Sequence, residues 1–289
     1  MAGAAQPAEG VSYECFEVSI EAGVAHVKLN RPDALNTMNH SFWRELPLII
    51  DDIDANARAR CIVISSSGRH FSAGMDLAAF SAAGGGDGPV ADRATANERM
   101  RLKVRYLQET FSCLERARMP VLAAIHGACI GGAIDLVSAC DVRYCTADSF
   151  FSVEEINIGM TADVGTFPRL CSLIPQGWVR ELAYTGRRLP AAKAQEIGLI
   201  NAVFDTHADL LDYVMATARE IATKAPVAVA GSKVMINYAR DHTIADGLDY
   251  IATWQPGMFS VPDMAEAFAA KKEKRETNFP DLLPLKRGL

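Results

Sequence analysis

Apolar and polar residues alternate along Tyr13–Ile20 and again along Val24–Leu29, the period of a strand with one buried face. Glu21-Ala22-Gly23 between them predicts a hairpin. Pro32 then breaks the chain, and Asn39 is placed to cap a helix running to about Asp54, in which Pro47 predicts a kink or a late start. Cys61–Ile64 reads as a buried strand closing in the polar loop Ser65-Ser66-Ser67-Gly68, and Ser81–Gly88 as a flexible, glycine-rich connection. A long amphipathic segment over about Val90–Arg118 carries Leu102, Tyr106, Leu107, Phe111 and Leu114 at helical spacing. Pro120 opens the apolar strand Val121–Ile125, His126-Gly127 ends it, and Gly131-Gly132 leads into a short helix, Ala133–Cys140, bounded by Asp141. Short strands alternate with helices as far as about Phe204. Beyond His207 strand signals fade and the pattern predicts helices at 207–224, 227–240, 243–253 and 262–275. A mixed α/β region followed by an all-helical one divides the chain into a tail at 1–12, a core at 13–205 and a helical region at 206–289.

Composition changes this picture only by exclusion. The 289 residues are 49% hydrophobic and 22% charged, ordinary for a globular chain with a real core. A net charge of −6 argues against a broad nucleic-acid footprint. The seven cysteines form no C-x-x-C pair and mostly sit in apolar runs, which reads as reduced thiols in an intracellular compartment. The six histidines form no metal cluster, and the longest apolar region is broken by His126 and Asp135, so no membrane span is expected. Residues 1–12 lack a basic or arginine-rich leader, and the terminal Arg-Gly-Leu is a poor match to a peroxisomal address, so the organelle stays open. No G-x-S-x-G elbow is present, which disfavours a serine hydrolase.

The candidate chemistry lies in Val121–Leu170. Glycines before a helix let another molecule approach the backbone, and the first N–H groups of a helix lack partners and favour negative charge. Asp135 lies in the first turn of that helix, with Glu155 20 residues later and Asp163 8 beyond. From spacing alone, a tight turn and a dipole-stabilising aspartate remain the alternative.

The words themselves carry more. IHGACIGGAIDLVSACDVRY and FSVEEINIGMTADVGTFPRL resemble the central signature of the enoyl-CoA hydratase/isomerase (crotonase) superfamily. HVKLNRPDALNTMN at 26–39, FSAGMDL at 71–77, TGRRLPAAKAQEIGLIN at 185–201 and KKEKRETNF at 271–279 extend the resemblance over roughly residues 13 to 280. It implies an α/β fold: a crotonase-like spiral of ββα units followed by C-terminal helices that build a homotrimer or a hexamer (a dimer of trimers). It implies an acyl-CoA thioester as substrate, no separate cofactor and no metal. The backbone N–H groups of Met75 and Gly132 would hold the thioester oxygen as an oxyanion hole. Ala34, Leu35 and Asn36 would meet the adenine end of coenzyme A, while Lys271 to Arg275 and Phe279 would lie near the nucleotide of a neighbouring subunit. For KKEKR a solvated helix face is the alternative. Deleting the chain from Lys271 onward is then expected to weaken coenzyme A binding more than the core fold. Many hydratases have a lysine just after the SAGMD-like motif; Asp76-Leu77-Ala78 stands there instead.

Hydratases typically carry glutamates at the positions of Asp135 and Glu155 and a glycine at that of Asp163. Three carboxylates at these places resemble the dienoyl-CoA isomerase branch, which implies conversion of a 3,5-dienoyl-CoA to the 2,4-isomer in fatty acid β-oxidation. Moving two double bonds needs a proton removed at C2 and one delivered at C6, too far apart for a single carboxylate. Glu155 is assigned as base and Asp163 as acid, with the reverse open, and Asp135 would orient or tune the pair. Glu154 lacks the E-x-x-x-G spacing to Gly159 and is expected to be a surface charge. The alternatives are an enoyl-CoA hydratase and, against the net charge, a non-catalytic or RNA-binding protein of the same fold.

Overall fold

A computed structural model describes residues 12–76, 78 and 92–285; the predicted connection at 81–88 and all but one residue of the predicted tail lie outside them. A six-stranded sheet forms the centre. Its strands are β1 (Phe16–Glu21), β2 (Val24–Leu29), β3 (Cys61–Ser66), β4 (Val121–Ile125), β6 (Val142–Thr146) and β9 (Ala202–Phe204), in that spatial order. Only the β1–β2 hairpin is antiparallel; the remaining pairs are parallel. Buried on both faces, β4 is apolar throughout and β3 is apolar up to its two closing serines. Ile62 and Ile64 point into one core layer, Cys61 and Val63 into the other, the period of two expected of a strand. β1 starts later than predicted because the N–H groups of Glu14 and Cys15 donate to the Glu45 carboxylate, both at 2.9 Å, rather than to a neighbouring strand.

Helix α1 (His40–Ala55) is capped by the Asn39 side chain and continues past Pro47, with no late start. Proline removes the donor that would reach the Trp43 carbonyl, and the Thr110 hydroxyl donates to that carbonyl instead at 3.2 Å. Thr110 lies on α2 (Arg93–Arg116), whose N-terminus is capped by Asp92. α3 (Gly132–Ser138) is buried along its whole length and shorter than the predicted helix. A second sheet, absent from the sequence reading, joins β5 (Ala128–Ile130), β7 (Phe150–Ser152) and β8 (Leu189–Pro190). Two- and three-residue strands carry no readable periodicity. α4 (Thr166–Leu173), α5 (Gln176–Thr185) and α6 (Ala191–Glu196) complete this region.

Four helices follow close to their predicted places: α7 (His207–Ala222), α8 (Pro226–Asp241), α9 (Ile244–Met258) and α10 (Val261–Glu273). α7 belongs to the core, since Leu210, Val214, Ala218 and Ala222 cover one face of the main sheet. α8 is anchored through Lys233, whose buried ammonium donates to the carbonyls of Leu114 and Met119 and pairs with Asp141 at 2.8 Å. α9 and α10 leave Ile244, Leu248, Phe259, Val261 and Phe268 exposed on this chain. The C-terminal segment folds back onto the core: Arg60 donates to the Phe279 carbonyl and pairs with Asp281, Arg118 donates to the Leu283 carbonyl, and Leu285 N–H reaches Ala55 O. These contacts give the segment a part in holding the core as well. None of the helices among the described residues is long and apolar enough to cross a membrane.

Candidate active site

The chain passes from the C-terminal ends of β3 and β4 into two segments that lie side by side. Residues 72–76 run between Met38 on one side and Cys129 on the other, as two isolated parallel bridges. In the first bridge Met38 N–H donates to Gly74 O, and Asp76 N–H donates to Met38 O. Met75, the residue between, is left with its own N–H directed away. Gly131 N–H is taken by Ser152 O at 2.9 Å, whereas Gly132 opens α3. Neither the Met75 nor the Gly132 N–H finds an acceptor among the described residues.

Glycine is required where the two segments meet. A Cβ on Gly74, which has φ +82°, would stand 2.6 Å from Ile130 O and 3.4 Å from Gly132 N. One on Gly132 would stand 2.9 Å from Met38 Sδ and 4.0 Å from Met75 N. The two N–H groups are thus brought together by the absence of side chains. With only seven residues, α3 adds little dipole, so the capacity to bind an anion rests on these two donors.

Three carboxylates gather beside them. Asp135, fully buried in the first turn of α3, accepts a 2.7 Å hydrogen bond from Thr166 on Oδ1, while its buried Oδ2 has no partner. Burial pushes its pKa up to about 7; the Thr166 hydroxyl opposes this and the charge of Glu155 adds to it. Glu155 lies on a short 3-10 turn, Glu154–Ile158, closed by left-handed Gly159. Its Oε2 is also buried without a partner, and a Cβ on Gly131 would come within 3.5 Å of its Oε1. Burial raises the Glu155 carboxyl, and Asp163 and Glu154 raise it further. Asp163 reaches solvent on this chain, yet the protein around its base raises its carboxyl too, against a backbone hydrogen bond that lowers it. Glu155 stands electrostatically between the other two.

Glu154 departs from expectation. It is half-buried, and both its oxygens are engaged, by Ser152 Oγ at 2.7 Å and Asn157 Nδ2 at 3.0 Å. That leaves Glu155, with its unpartnered oxygen, as the chemically available member of the pair.

Of the remaining predicted residues, Ala34 and Leu35 come close to the site. They form a tight turn with Leu35 at φ +52°, and Ala73 N–H donates to Leu35 O at 3.0 Å, holding the turn against the Met75 segment. Asn36 is buried and spans Ser67 and His70 with its amide. Lys271 and Phe279 are not brought here. Phe279 is 8% exposed, packed within its own chain next to Arg60, which precedes β3. That is the opposite end of the sheet from this chain's own site. Thr166 went unnoticed in the sequence: 31 residues separate it from Asp135, and no local signal links them.

Residues 19–282 match the family described as Enoyl-CoA hydratase/isomerase. The mitochondrial Delta(3,5)-Delta(2,4)-dienoyl-CoA isomerase of Mus musculus is 42% identical over 271 residues, covering 92% of this chain and 82% of that protein. The peroxisomal one of Arabidopsis thaliana is 37% identical over 274 residues, covering 94% and 99%. Among solved structures, an enoyl-CoA hydratase from Bacillus anthracis superposes with a TM-score of 0.80 at 28% identity, covering 94% of this chain and all of that one.

Proposed function

Because the chain belongs to the enoyl-CoA hydratase/isomerase family, we propose that it isomerises a 3,5-dienoyl-CoA to the 2,4-dienoyl-CoA. The observation that carries this reading is Glu155, its carboxyl raised by burial and by the charge of Asp163 and itself raising that of Asp135, beside two unengaged main-chain N–H groups. Removing a proton next to a thioester leaves an enolate whose charge gathers on the carbonyl oxygen. Met75 and Gly132 N–H groups hold that oxygen, an effect typically worth about 3–4 kcal/mol per donor. Glu155 takes the C2 proton and Asp163 returns one at C6. Like charges at close range with restricted solvent share a proton more readily than they both ionise, which supports one base and one acid in the resting state. Asp135, held by Thr166, orients and tunes Glu155. Identity to named dienoyl-CoA isomerases of up to 43%, against 28% to the solved hydratase, favours isomerisation over hydration.

The coenzyme A moiety enters along the Ala34–Leu35 turn. The exposed apolar residues of α9 and α10 support assembly as a trimer or a dimer of trimers, and any contact of Lys271 with a nucleotide then comes from a neighbouring subunit. The relatives' mitochondrial and peroxisomal names support an organellar β-oxidation role. A spectrophotometric assay decides the reaction. The protein should create the conjugated 2,4-dienoyl absorbance from 3,5-dienoyl-CoA without adding mass. Rapid loss of enoyl absorbance with 2-enoyl-CoA, and none of the former activity, would establish a hydratase instead.

A further inference from the structure

We infer that Gln108 of α2, and Arg169 of α4 seated on α2, hold Asp163 in place through bonds to two consecutive carbonyls, which makes them positioning residues for the proton transfer. The inference rests on the reading of Asp163 as proton donor. Asp163 lies in the irregular stretch between Gly159 and α4, where no helix or strand ladder fixes the backbone. Two side chains do so instead. Gln108 Nε2 donates to Asp163 O at 2.7 Å, and Arg169 Nη1 donates to Val164 O at 3.3 Å. Gln108 shares one face of α2 with Ser112 and Glu115, at successive helical turns, and this face also seats the arginine. Arg169, 9% exposed, donates from Nε and Nη2 to Glu115 Oε2 at 3.0 and 2.7 Å, and from Nη2 to Ser112 Oγ at 3.1 Å. Such a planar fork has one orientation that satisfies all its partners. The seat demands glycine next to Asp163's neighbour: a Cβ on Gly165, whose φ is +131°, would lie 1.8 Å from Arg169 Nη1. Arg240 of α8 takes the other Glu115 oxygen at 2.6 Å. Burial would raise the Glu115 carboxyl, but the two arginines prevail and hold it below the ordinary range. The clamp is therefore charged and fully engaged, and it ties a tail helix to the loop bearing the acid.

Two measurements on the full-length protein test this. Gln108→Met keeps length and removes the donor. It should lower kcat for 3,5-dienoyl-CoA about 10-fold, with KM within about twofold and the melting temperature unchanged, because small misplacements of a reacting group are costly. Added to Asp163→Asn it should lower kcat no further, since the two act on one step. Arg169→Lys should be more damaging; if it does not fold, Gln108→Met still decides. Carboxyl carbon NMR reads placement without turnover: the raised Asp163 titration should move toward that of an ordinary aspartate in Gln108→Met. An unmoved titration, or losses that multiply in the double variant, overturns the inference. If the wild type fails to isomerise, or Asp163→Asn is fully active, the functional reading falls, and the NMR titration still judges the clamp by itself.

Discussion

Asp135 is held where a charge is expensive. A rise from 3.8 to about 7 in a fully buried carboxyl corresponds to a cost on the order of 4 kcal/mol for the ionised form. The folded chain then binds a proton that the unfolded chain has released between about pH 4 and 7, so this group's contribution to stability declines as pH rises through that window. Asp135→Asn should stabilise the protein at pH 8 by a few kcal/mol and by much less near pH 5, read by urea denaturation at both. Equal stability of wild type and variant at pH 8 would refute that cost. Retaining so costly a group at one site points to chemistry rather than folding. For turnover the ranking differs. Asp163→Asn and Glu155→Gln should each lower dienoyl isomerisation by about 10²- to 10⁴-fold in a folded protein, the usual contribution of a general acid or base. Asp135→Asn should be milder, because its role is orientation. A fully active Asp163→Asn would rule out the two-carboxylate mechanism.

At the scale of elements, Lys233 holds α8 to the core by polar contacts that burial makes obligatory. Its ammonium is buried against two carbonyls and pairs with Asp141, so Lys233→Met leaves the Leu114 and Met119 carbonyls without their donor, while Asp141 keeps the Val121 N–H. Leaving a buried acceptor without its donor typically costs about 1–3 kcal/mol, and thermal unfolding should show a loss of at least this order. A loss below about 1 kcal/mol would mean that water replaces the ammonium. The helices themselves were legible from period and, for α1, from the Asn39 cap; the structure adds Asp92, Thr206, Thr243 and Ser260, each of which, like Asn39, accepts from the N–H three residues on. Pro47 was misleading, because its cost depends on whether another donor can reach the abandoned carbonyl, and Thr110 sits 67 residues away.

For the molecule as a whole, the apolar residues of α9 and α10 are the unfinished part of the surface. Ile244 is 84% and Phe268 66% exposed, values that a lone chain rarely sustains over adjoining helices. Light scattering should give a mass that is a multiple of three chains of 31.2 kDa; an active monomer would sink the trimeric reading. Truncation at Lys271 should lower the melting temperature as well as any coenzyme A affinity, since it removes the straps from Phe279, Asp281 and Leu283 to Arg60 and Arg118. Unchanged melting would show those straps to be incidental.

Local order came from the chain itself: the β1–β2 hairpin, the buried strands, the positions of the four C-terminal helices, and the motif words containing Asp135, Glu155, Asp163, Gly132 and Met75. Each depends on a period, a cap or a run of adjacent residues, all short-range in sequence. What only the tertiary structure decided is what those residues meet. Glu155 rather than Glu154 offers a free oxygen because Ser152 and Asn157 occupy its neighbour. Asp135 is tied to Thr166 and the Asp163 loop to Gln108 and Arg169, while Phe279 turns into its own core at the far end of the sheet. The contacts of Asp135, Gln108 and Phe279 join residues tens to hundreds of positions apart, and a buried group's charge state follows from the shell assembled around it, which no stretch of sequence contains by itself.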